Sequence, residues 1–432
     1  MRILKTRKSK IFAVILLLII GFLVWFFFPE RDIDDSDLMP RFIDVPDADN
    51  GFFHVNFKMG DVYYPADPSK HETYRKITTG EAWDKDVAHE MVDKNKALLD
   101  AVSKAIKSKS FQMPKGEDVS TLLPYLSPWR ETARLAKIKS KLLLDEGKKA
   151  EALELAAEMI EFSQKIMNSA NCYISFLIGN WILDKSCQSF LELIKDEKLT
   201  REDLLPYIKR FSNKEISRET EAEISKREYL IFANTFDRIA NGTFRYETIW
   251  GTTSTFGHLE FQLFFNPKST KKLFAEIFRI AVKNSYKLYA EKESLEPLIQ
   301  KWNRAYRFTA NSQGKKFAVH NTMSMLRVDW QMNNSRLLCR LMPVLVALRC
   351  YKLDNGDLPD MLEQLVPDYI KTVPLDPFDE KPIRYSKEKK MLYSVGADLV
   401  DSGGASEEEI IKYKNASSRL LVAEDPTIMI EF

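Results

Sequence analysis

Apolar and polar positions divide the chain into an apolar N-terminal run, a long stretch of helical periodicity and a short C-terminal region of mixed pattern. Residues 11–28 are eighteen consecutive uncharged residues. A helix needs roughly twenty such residues to cross the hydrocarbon core of a bilayer. Only Ala13 and Gly21 in this run are not strongly apolar. The pattern therefore predicts a single transmembrane helix over residues 11–28, with the lipid bilayer as its partner.

The charges on either side of the apolar run predict its orientation. Residues 1–10 form a leader with five basic residues and no acid, whereas residues 30–49 contain eight acids and two arginines. Because basic flanks stay on the cytoplasmic side, we expect the N-terminus in the cytoplasm. A cleaved signal peptide is the alternative, but the run ends in aromatic residues without the small residues of a cleavage site. We therefore expect a single-pass protein of the bacterial inner (cytoplasmic) membrane, with its bulk outside the cytoplasm.

Beyond the apolar run the pattern predicts three further regions. Residues 29–83 are rich in proline, aspartate and aromatic residues, and we expect an irregular, partly extended collar. Residues 84–328 place apolar residues at helical spacing between Pro and Gly breakers, which predicts an irregular multi-helix domain. A helix-turn-helix around Gly147 resembles one tetratricopeptide unit, but no second unit follows, so no solenoid is expected. Residues 329–432 predict a long helix followed by a small mixed module.

The C-terminal region contains signals for a helix end and for a hairpin. Asn355 and Gly356 are typical of a helix C-terminus, because glycine adopts left-handed backbone angles easily. Residues 360–366 predict a short helix. Residues 382–386 and 391–395 carry β-branched and aromatic residues on both sides of a short turn and predict an antiparallel hairpin. The expected fold class is mostly α, with one transmembrane helix, an irregular multi-helix domain and a small C-terminal α+β module.

Three short motifs follow one another in this module: DNGDLP at 354–359, PLDPF at 374–378 and LYSVGAD at 392–398. In this order they resemble the globular end of the major pseudopilin of type II secretion systems, over roughly residues 340–404. Pseudopilins also have a Gly-Phe processing site and a Glu in the apolar helix, which residues 8–12 and the apolar run do not match. The whole arrangement resembles membrane-anchored proteins of planctomycetes and verrucomicrobia. That likeness implies architecture and compartment, and no activity.

The resemblance also implies a metal site. Pseudopilins commonly bind calcium in the loop after the hairpin, where this chain has Asp398 and Asp401. Calcium takes six to eight oxygen ligands, and the acidic residues at 405–409 that follow are in a different register from the family's. The alternative is structural, because Asp in a Gly-rich turn often accepts hydrogen bonds from the local backbone.

Other candidate chemistry is weaker. Residues 89–93 read HEMVD and approach the zinc-protease pattern H-E-x-x-H, but the second ligand position is Asp93, which favours an ordinary helix surface. No phosphate-binding loop or nucleophile elbow occurs. The four cysteines form no C-x-x-C pair, so we expect buried free thiols.

Composition and charge narrow the class of function. The chain has 64 Lys and Arg against 62 Asp and Glu, a net charge of +2, and 45% hydrophobic residues. These values exclude global disorder and make nucleic acid a poor candidate partner.

Two functions remain open at this point. The first is interaction or scaffolding with an unidentified envelope protein, beside a secretion or pilus-like apparatus, without catalytic residues and without a cofactor other than calcium. The second is a membrane-anchored hydrolase with a site in a cleft between helical domain and module. An apolar stripe of Leu337, Leu341 and Leu348 on the long helix predicts core packing, with a partner helix as the alternative.

Overall fold

The computed structural model describes residues 7–27, 32–244, 263–305, 311–406, 408–409, 421 and 425–432. Several predicted features lie wholly or partly outside these residues: the first six residues of the basic leader, Phe28 at the end of the apolar run, the start of the collar at 29–31, and Glu407 in the acidic stretch. Residues 245–262, most of a segment whose Gly and Asn residues indicate a polar loop, also lie outside them.

The described residues are mostly helical, as predicted. They contain twelve α-helices: α1 (Arg7–Phe27), α2 (Pro68–Thr79), α3 (Lys85–Lys94), α4 (Lys96–Lys107), α5 (Leu126–Asp145), α6 (Lys149–Asn168), α7 (Tyr173–Leu193), α8 (Arg201–Phe211), α9 (Arg218–Ala240), α10 (Pro267–Ser285), α11 (Glu296–Ala305) and α12 (Ser312–Asn355).

Helix α1 covers nearly all of the apolar run. Its described side chains, at residues 11–21, are uncharged, and Phe12 and Leu17 are each about two-thirds exposed. In the part of the chain that the structure describes, no helix combines the length and the apolarity needed to cross a membrane.

The collar is more regular than expected. Residues 32–67 are irregular, as predicted, but they include four short 3-10 turns, and α2 follows them. The side chain of Asp67 accepts a hydrogen bond from the backbone N–H of Ser69 at 2.8 Å, and Pro68 occupies the first turn. Both features start helices, because they satisfy or remove N–H groups that have no partner inside the helix. The prediction of an irregular segment is therefore wrong at α2.

Helices α5, α6 and α7 pack against one another and form the centre of the helical domain. The turn between α5 and α6 contains Gly147, whose φ of 77° is easily accessible only to glycine. The helical pattern that begins near residue 84 is divided between α3 and α4. The side chain of Asn95 donates to the carbonyl oxygens of Met91 and Tyr63 at 2.9 and 3.1 Å and occupies the break.

Two clusters of buried apolar side chains form the interior. The first is built mainly from α3–α8, and the second mainly from α9–α11. Helix α12 passes through both, with Ala318 and Met325 in the second and Val328 and Leu345 in the first. It begins at Ser312, well before the predicted start at residue 329.

The apolar stripe of α12 belongs to the protein's own core. Leu337, Leu341 and Leu348 are each fully buried. The prediction of core packing is confirmed, and these side chains are not available to a partner helix.

A three-stranded antiparallel sheet lies near the C-terminus. Its strands are β1 (Arg384–Ser386), β2 (Met391–Tyr393) and β3 (Thr427–Met429), in the order β1-β2-β3. The predicted hairpin is confirmed by the pairing of β1 with β2. Gly356, with a φ of 82°, ends α12 as predicted. Strand β3 was not expected, because it is three residues long and far from β2 in sequence.

The second and third C-terminal motifs meet at Asp376, which is fully buried. Its carboxylate accepts hydrogen bonds from the hydroxyl of Ser394 at 2.9 Å and from the backbone N–H of Val395 at 3.0 Å. A guanidinium nitrogen of Arg384 donates to the same carboxylate at 2.9 Å. Buried carboxylates are tolerated when they are satisfied in this way. Asp376 therefore fixes the turn before β1 to the end of β2.

Candidate functional site

A cavity of about 740 Å³ lies where the two apolar cores meet; we call it cavity A. Its walls come from the loop at 116–123, the start of α7, the middle of α9 and the N-terminal half of α12. About half of the lining side chains are apolar: Val119, Leu123, Ile174, Leu177, Ile231, Phe232, Phe317, Met323, Met325 and Val328. Ligand sites are typically concave, mainly apolar and about 300–1,000 Å³ in volume, often between packed units. Cavity A has the size and lining of such a site.

The rim of cavity A exposes apolar side chains to solvent. Ile174 is 58% exposed and Met323 is 56% exposed. Burial of apolar surface is favourable by roughly 25 cal/mol per Å², so leaving these two large apolar side chains in water is costly. A bound apolar ligand would cover them.

Two carboxyl groups of the described residues line cavity A: that of Asp118, which pairs with Arg238, and that of Glu228 in α9. The carboxyl of Glu228 accepts a hydrogen bond from the backbone N–H of Tyr173, the first residue of α7, at 2.8 Å. Burial raises the pKa of Glu228 to about 7. The helix N-terminus favours the charged form, but the apolar surroundings dominate because desolvation penalises an ionised carboxylate. Glu228 is thus poised to gain or lose a proton near neutral pH.

The other polar side chains at the start of α7 are held by local hydrogen bonds. The hydroxyl of Tyr173 donates to Ser225 at 3.0 Å. Burial raises the pKa of Cys172 to about 11, so its thiol stays protonated and weakly nucleophilic at neutral pH. His320 also lines cavity A, but among the described residues no side-chain hydrogen bond joins it to a serine or a cysteine. These side chains are therefore better suited to binding a molecule in cavity A than to catalysing a reaction.

A cluster of buried charges lies on the other side of Tyr173. Arg336 is 1% exposed and pairs with Glu221, while Lys292 pairs with Asp329 at 2.5 Å. Burial raises the pKa of Asp329. Two acids and two bases balance in this cluster, as buried ion pairs require. We interpret it as structural.

The predicted calcium ligands lie together at the end of the sheet, in turn conformations. Asp398 accepts a hydrogen bond from the backbone N–H of Val400 at 3.1 Å, and Asp401 accepts one from Gly403 at 3.0 Å. Asp401 also lies 3.4 Å from a guanidinium nitrogen of Arg384. Both carboxylates therefore accept hydrogen bonds from the local backbone, as expected if they only form turns. Calcium binding stays a prediction.

A third carboxylate, that of Asp425, lies near this loop and was not predicted from the sequence. Asp425 is 3% exposed and accepts hydrogen bonds from the backbone N–H groups of Ser402 and Gly404 at 2.9 and 3.0 Å. Its second oxygen is buried without a hydrogen-bond partner. Burial raises the pKa of Asp425, and the charges of Asp401 and Asp398 add to the effect. Within the described ranges, however, no three His, Cys, Asp or Glu side chains are grouped to hold a metal ion.

The remaining sequence candidates are structural. The imidazole of His89 lies 4.0 Å from the carboxylate of Glu146, and Glu90 accepts from the hydroxyl of Tyr63 at 2.6 Å and pairs with Lys70. All four cysteines are buried and unpaired, as predicted.

Searches against protein-family models, curated proteins and solved structures found no match to this chain. A functional assignment therefore depends on the residues of cavity A and its surroundings. Sequence reasoning did not find Glu228, because an acid within a charged helix surface is indistinguishable in sequence from one that faces a cavity.

Proposed function

We propose that this protein is a membrane-anchored, extracytoplasmic binding protein whose helical domain holds an apolar ligand in cavity A. The observation that carries the proposal is the apolar surface that lines a 740 Å³ cavity and includes the exposed side chains of Ile174 and Met323. Transfer of each CH₂ group of a ligand from water into such a cavity contributes about 0.8 kcal/mol. A chain of ten or more carbons would thus gain enough to offset the cost of binding.

The proposed anchor is the apolar run at residues 11–28, with the basic leader in the cytoplasm and the body on the opposite side. The exposure of apolar side chains such as Phe12 and Leu17 along α1 supports it. An anchored body stays close to the bilayer, where apolar molecules are concentrated. The anchor and the cavity therefore support one proposal.

An interaction or scaffolding role at a secretion or pilus-like apparatus stays a prediction from the pseudopilin resemblance. Its best candidate surface, the stripe of Leu337, Leu341 and Leu348, is buried. Ligand binding is the better supported proposal because cavity A supplies an open apolar surface.

An envelope hydrolase is the second candidate. The pKa of about 7 for Glu228 favours it, because a general acid or base works best when its pKa is near the working pH. A covalent mechanism would also need an activated side-chain nucleophile, and the thiol of Cys172 stays protonated with its pKa of about 11, while the apolar lining beside Glu228 suits an apolar ligand better than an attacking water. We therefore place binding first.

Photolabelling of the full chain in lipid nanodiscs tests the proposal. A neutral alkyl diazirine, twelve carbons long, is irradiated with the protein, and adducts are mapped by mass spectrometry of peptides. We expect adducts in the peptides that contain Ile174 and Met323. Labelling confined to α1 would contradict the proposal, because lipid-dissolved probe reaches the anchor in any case.

A pair of rim substitutions sharpens the test. The variant Ile174→Trp/Met323→Trp fills the mouth of cavity A with side chains that start from exposed positions, so the fold should be retained. The control is Leu122→Trp. Leu122 lies in the loop at 116–123, is 85% exposed and does not line the cavity. We expect the double variant to lose most cavity adducts and the control to keep them. Equal labelling of both would refute the assignment of the site.

A further inference from the structure

A second cavity, of about 290 Å³, adjoins cavity A; we call it cavity B. Gly116 and Asn171 line both cavities and separate them. A Cβ atom on Gly116 would lie 2.7 Å from the end of the Ile231 side chain, so glycine lets the loop backbone pack closely on α9. The partition between the cavities is therefore thin.

The charged side chains that line cavity B are all basic. They are Arg41, Lys115 and Arg227, and no Asp or Glu is among the described residues that line this cavity. Cavity A, in contrast, is lined by charges of both signs: the carboxyls of Asp118 and of Glu228, the residue directly after Arg227 in α9, and the guanidinium of Arg327. Successive side chains of a helix diverge by about 100°, so α9 turns a base towards one cavity and an acid towards the other.

Arg227 is a half-buried cation without an ion-pair partner in the described part of the chain. One of its terminal nitrogens donates to the carbonyl oxygen of Ala170 at 2.8 Å, and its Nε is buried without a hydrogen-bond partner. Glu223 acts on it electrostatically, but that carboxylate accepts from the backbone of Arg41 at 2.8 Å and pairs with Lys226 at 3.6 Å. A partly desolvated guanidinium normally has an anionic partner.

Lys115 is a second cation in cavity B without a carboxylate partner among the described residues. Its ammonium group lies 4.4 Å from the centre of the ring of Phe42, on an exposed loop. A cation over an aromatic ring is held near the cavity without neutralisation of its charge. Arg41 has only a 3.6 Å contact with Glu219, and both side chains are largely exposed. Cavity B thus combines positive charge with a position beside an apolar cavity.

We propose that cavity B binds the anionic headgroup of an amphiphile whose acyl or alkyl chain lies in cavity A. This inference rests on the apolar ligand proposed above and defines its chemical class as a chain that ends in a carboxylate or a phosphate. Arg227 and Lys115 supply charge-assisted hydrogen bonds to the headgroup oxygens, which are stronger than neutral ones. The apolar walls of cavity A supply most of the free energy of binding.

Competition against the neutral diazirine probe tests the headgroup. Dodecanoate, dodecyl phosphate and dodecanol share one chain length, and each is titrated into the full chain in nanodiscs while cavity adducts are measured. We expect Lys115→Gln to weaken competition by at least one of the two anions roughly tenfold, a difference of about 1.4 kcal/mol, and to leave dodecanol unchanged. The anion whose competition is weakened more by Lys115→Gln identifies the headgroup as carboxylate or phosphate. The competition by each compound is compared between the original chain and the variant in the same nanodiscs. Partition of the compound into the lipid is the same in both samples and does not affect the comparison.

Two further variants complete the test. Arg227→Gln should give a larger loss than Lys115→Gln, but it also removes the hydrogen bond to Ala170, so Lys115→Gln on its exposed loop is the decisive variant. Lys301→Gln removes the same charge from an exposed position that lines neither cavity and should change nothing. Suppose that the probe labels cavity A, but both anions compete with it as well in Lys115→Gln as in the original chain. The proposed headgroup site in cavity B would then be wrong, and the proposed apolar site in cavity A would stand. Absence of cavity adducts would overturn both.

Discussion

Arg227 and Glu228 are consecutive residues whose charged groups, within the described ranges, are held by the backbone and not by a side-chain ion pair. Arg336 and Glu221, in contrast, pair directly, and their charges cancel. The carboxyl of Glu228 accepts from a backbone N–H, and the guanidinium of Arg227 donates to a backbone carbonyl. Unpaired buried charge is costly to maintain, and it concentrates at sites that bind or react. These two residues therefore support the proposed site better than any motif in the sequence.

The pKa of Glu228 predicts that stability falls as pH rises. In the unfolded chain its carboxyl ionises near 4.5, whereas in the folded protein burial raises the pKa to about 7. The unfolded state therefore releases its proton first, and stability is lost between pH 4.5 and pH 7. Glu228→Gln removes this loss, and we expect it to raise the free energy of unfolding at pH 8 by about 1–3 kcal/mol. Thermal unfolding at pH 5 and pH 8 measures the difference.

The control for this prediction is Glu276→Gln, in an exposed position on α10. Its effect on the unfolding temperature should be small and the same at both pH values. If Glu228→Gln gave equal shifts at pH 5 and pH 8, the carboxyl would not titrate as a buried group, and its place in an apolar cavity would be wrong.

The elements were predictable where a local signal decides them. Gly356 ends α12, and the arms of the hairpin pair as their apolar residues indicate. Helix α2 also has a local signal, in Asp67 and Pro68, but the proline- and aspartate-rich surroundings obscured it. Strand β3 could not be predicted, because three residues acquire strand geometry only by pairing with β2.

The turn between α5 and α6 gives a prediction with a matched control. Gly147 has a φ of 77° and open space around its Cα, so an added methyl group would meet only backbone strain. We expect Gly147→Ala to lower the free energy of unfolding by about 1 kcal/mol. Gly60 has the same open space without a positive φ, so Gly60→Ala should be neutral or stabilise by up to about 1 kcal/mol. Denaturant unfolding of both variants would show whether backbone angle alone separates them; equal effects would contradict it.

The loop after the sheet supplies the calcium prediction. Burial raises the pKa of Asp425, and the like charges of Asp401 and Asp398 add to the effect, so a divalent cation would relieve this repulsion. We expect millimolar calcium to raise the unfolding temperature by a few degrees and Asp398→Ala to remove that shift. Magnesium is the control ion, because it demands a smaller octahedral site. An unchanged unfolding temperature on addition of calcium or of a chelator would leave turn formation as the only role of these residues.

The position of the candidate site emerges only at the scale of the whole molecule. Cavity A combines residues 116–123 and 171–177 with the middle of α9 and the first half of α12, segments that are far apart in sequence. Each segment alone reads as ordinary helix or loop. The sequence could predict helices from local pattern, whereas a cavity depends on how two cores fail to close against each other. This is why the proposed ligand has no sequence signature.

The proposed topology predicts which side of the membrane the helical body occupies. All four native cysteines are buried, so a new exposed thiol can be labelled over a low background. Leu122→Cys places such a thiol on a position that is 85% exposed, and Thr6→Cys places one in the basic leader. In spheroplasts treated with a membrane-impermeant maleimide, we expect Leu122→Cys to react at once and Thr6→Cys to react only after lysis. The reverse pattern would place the body in the cytoplasm, and the cavities would then sample amphiphiles of that compartment.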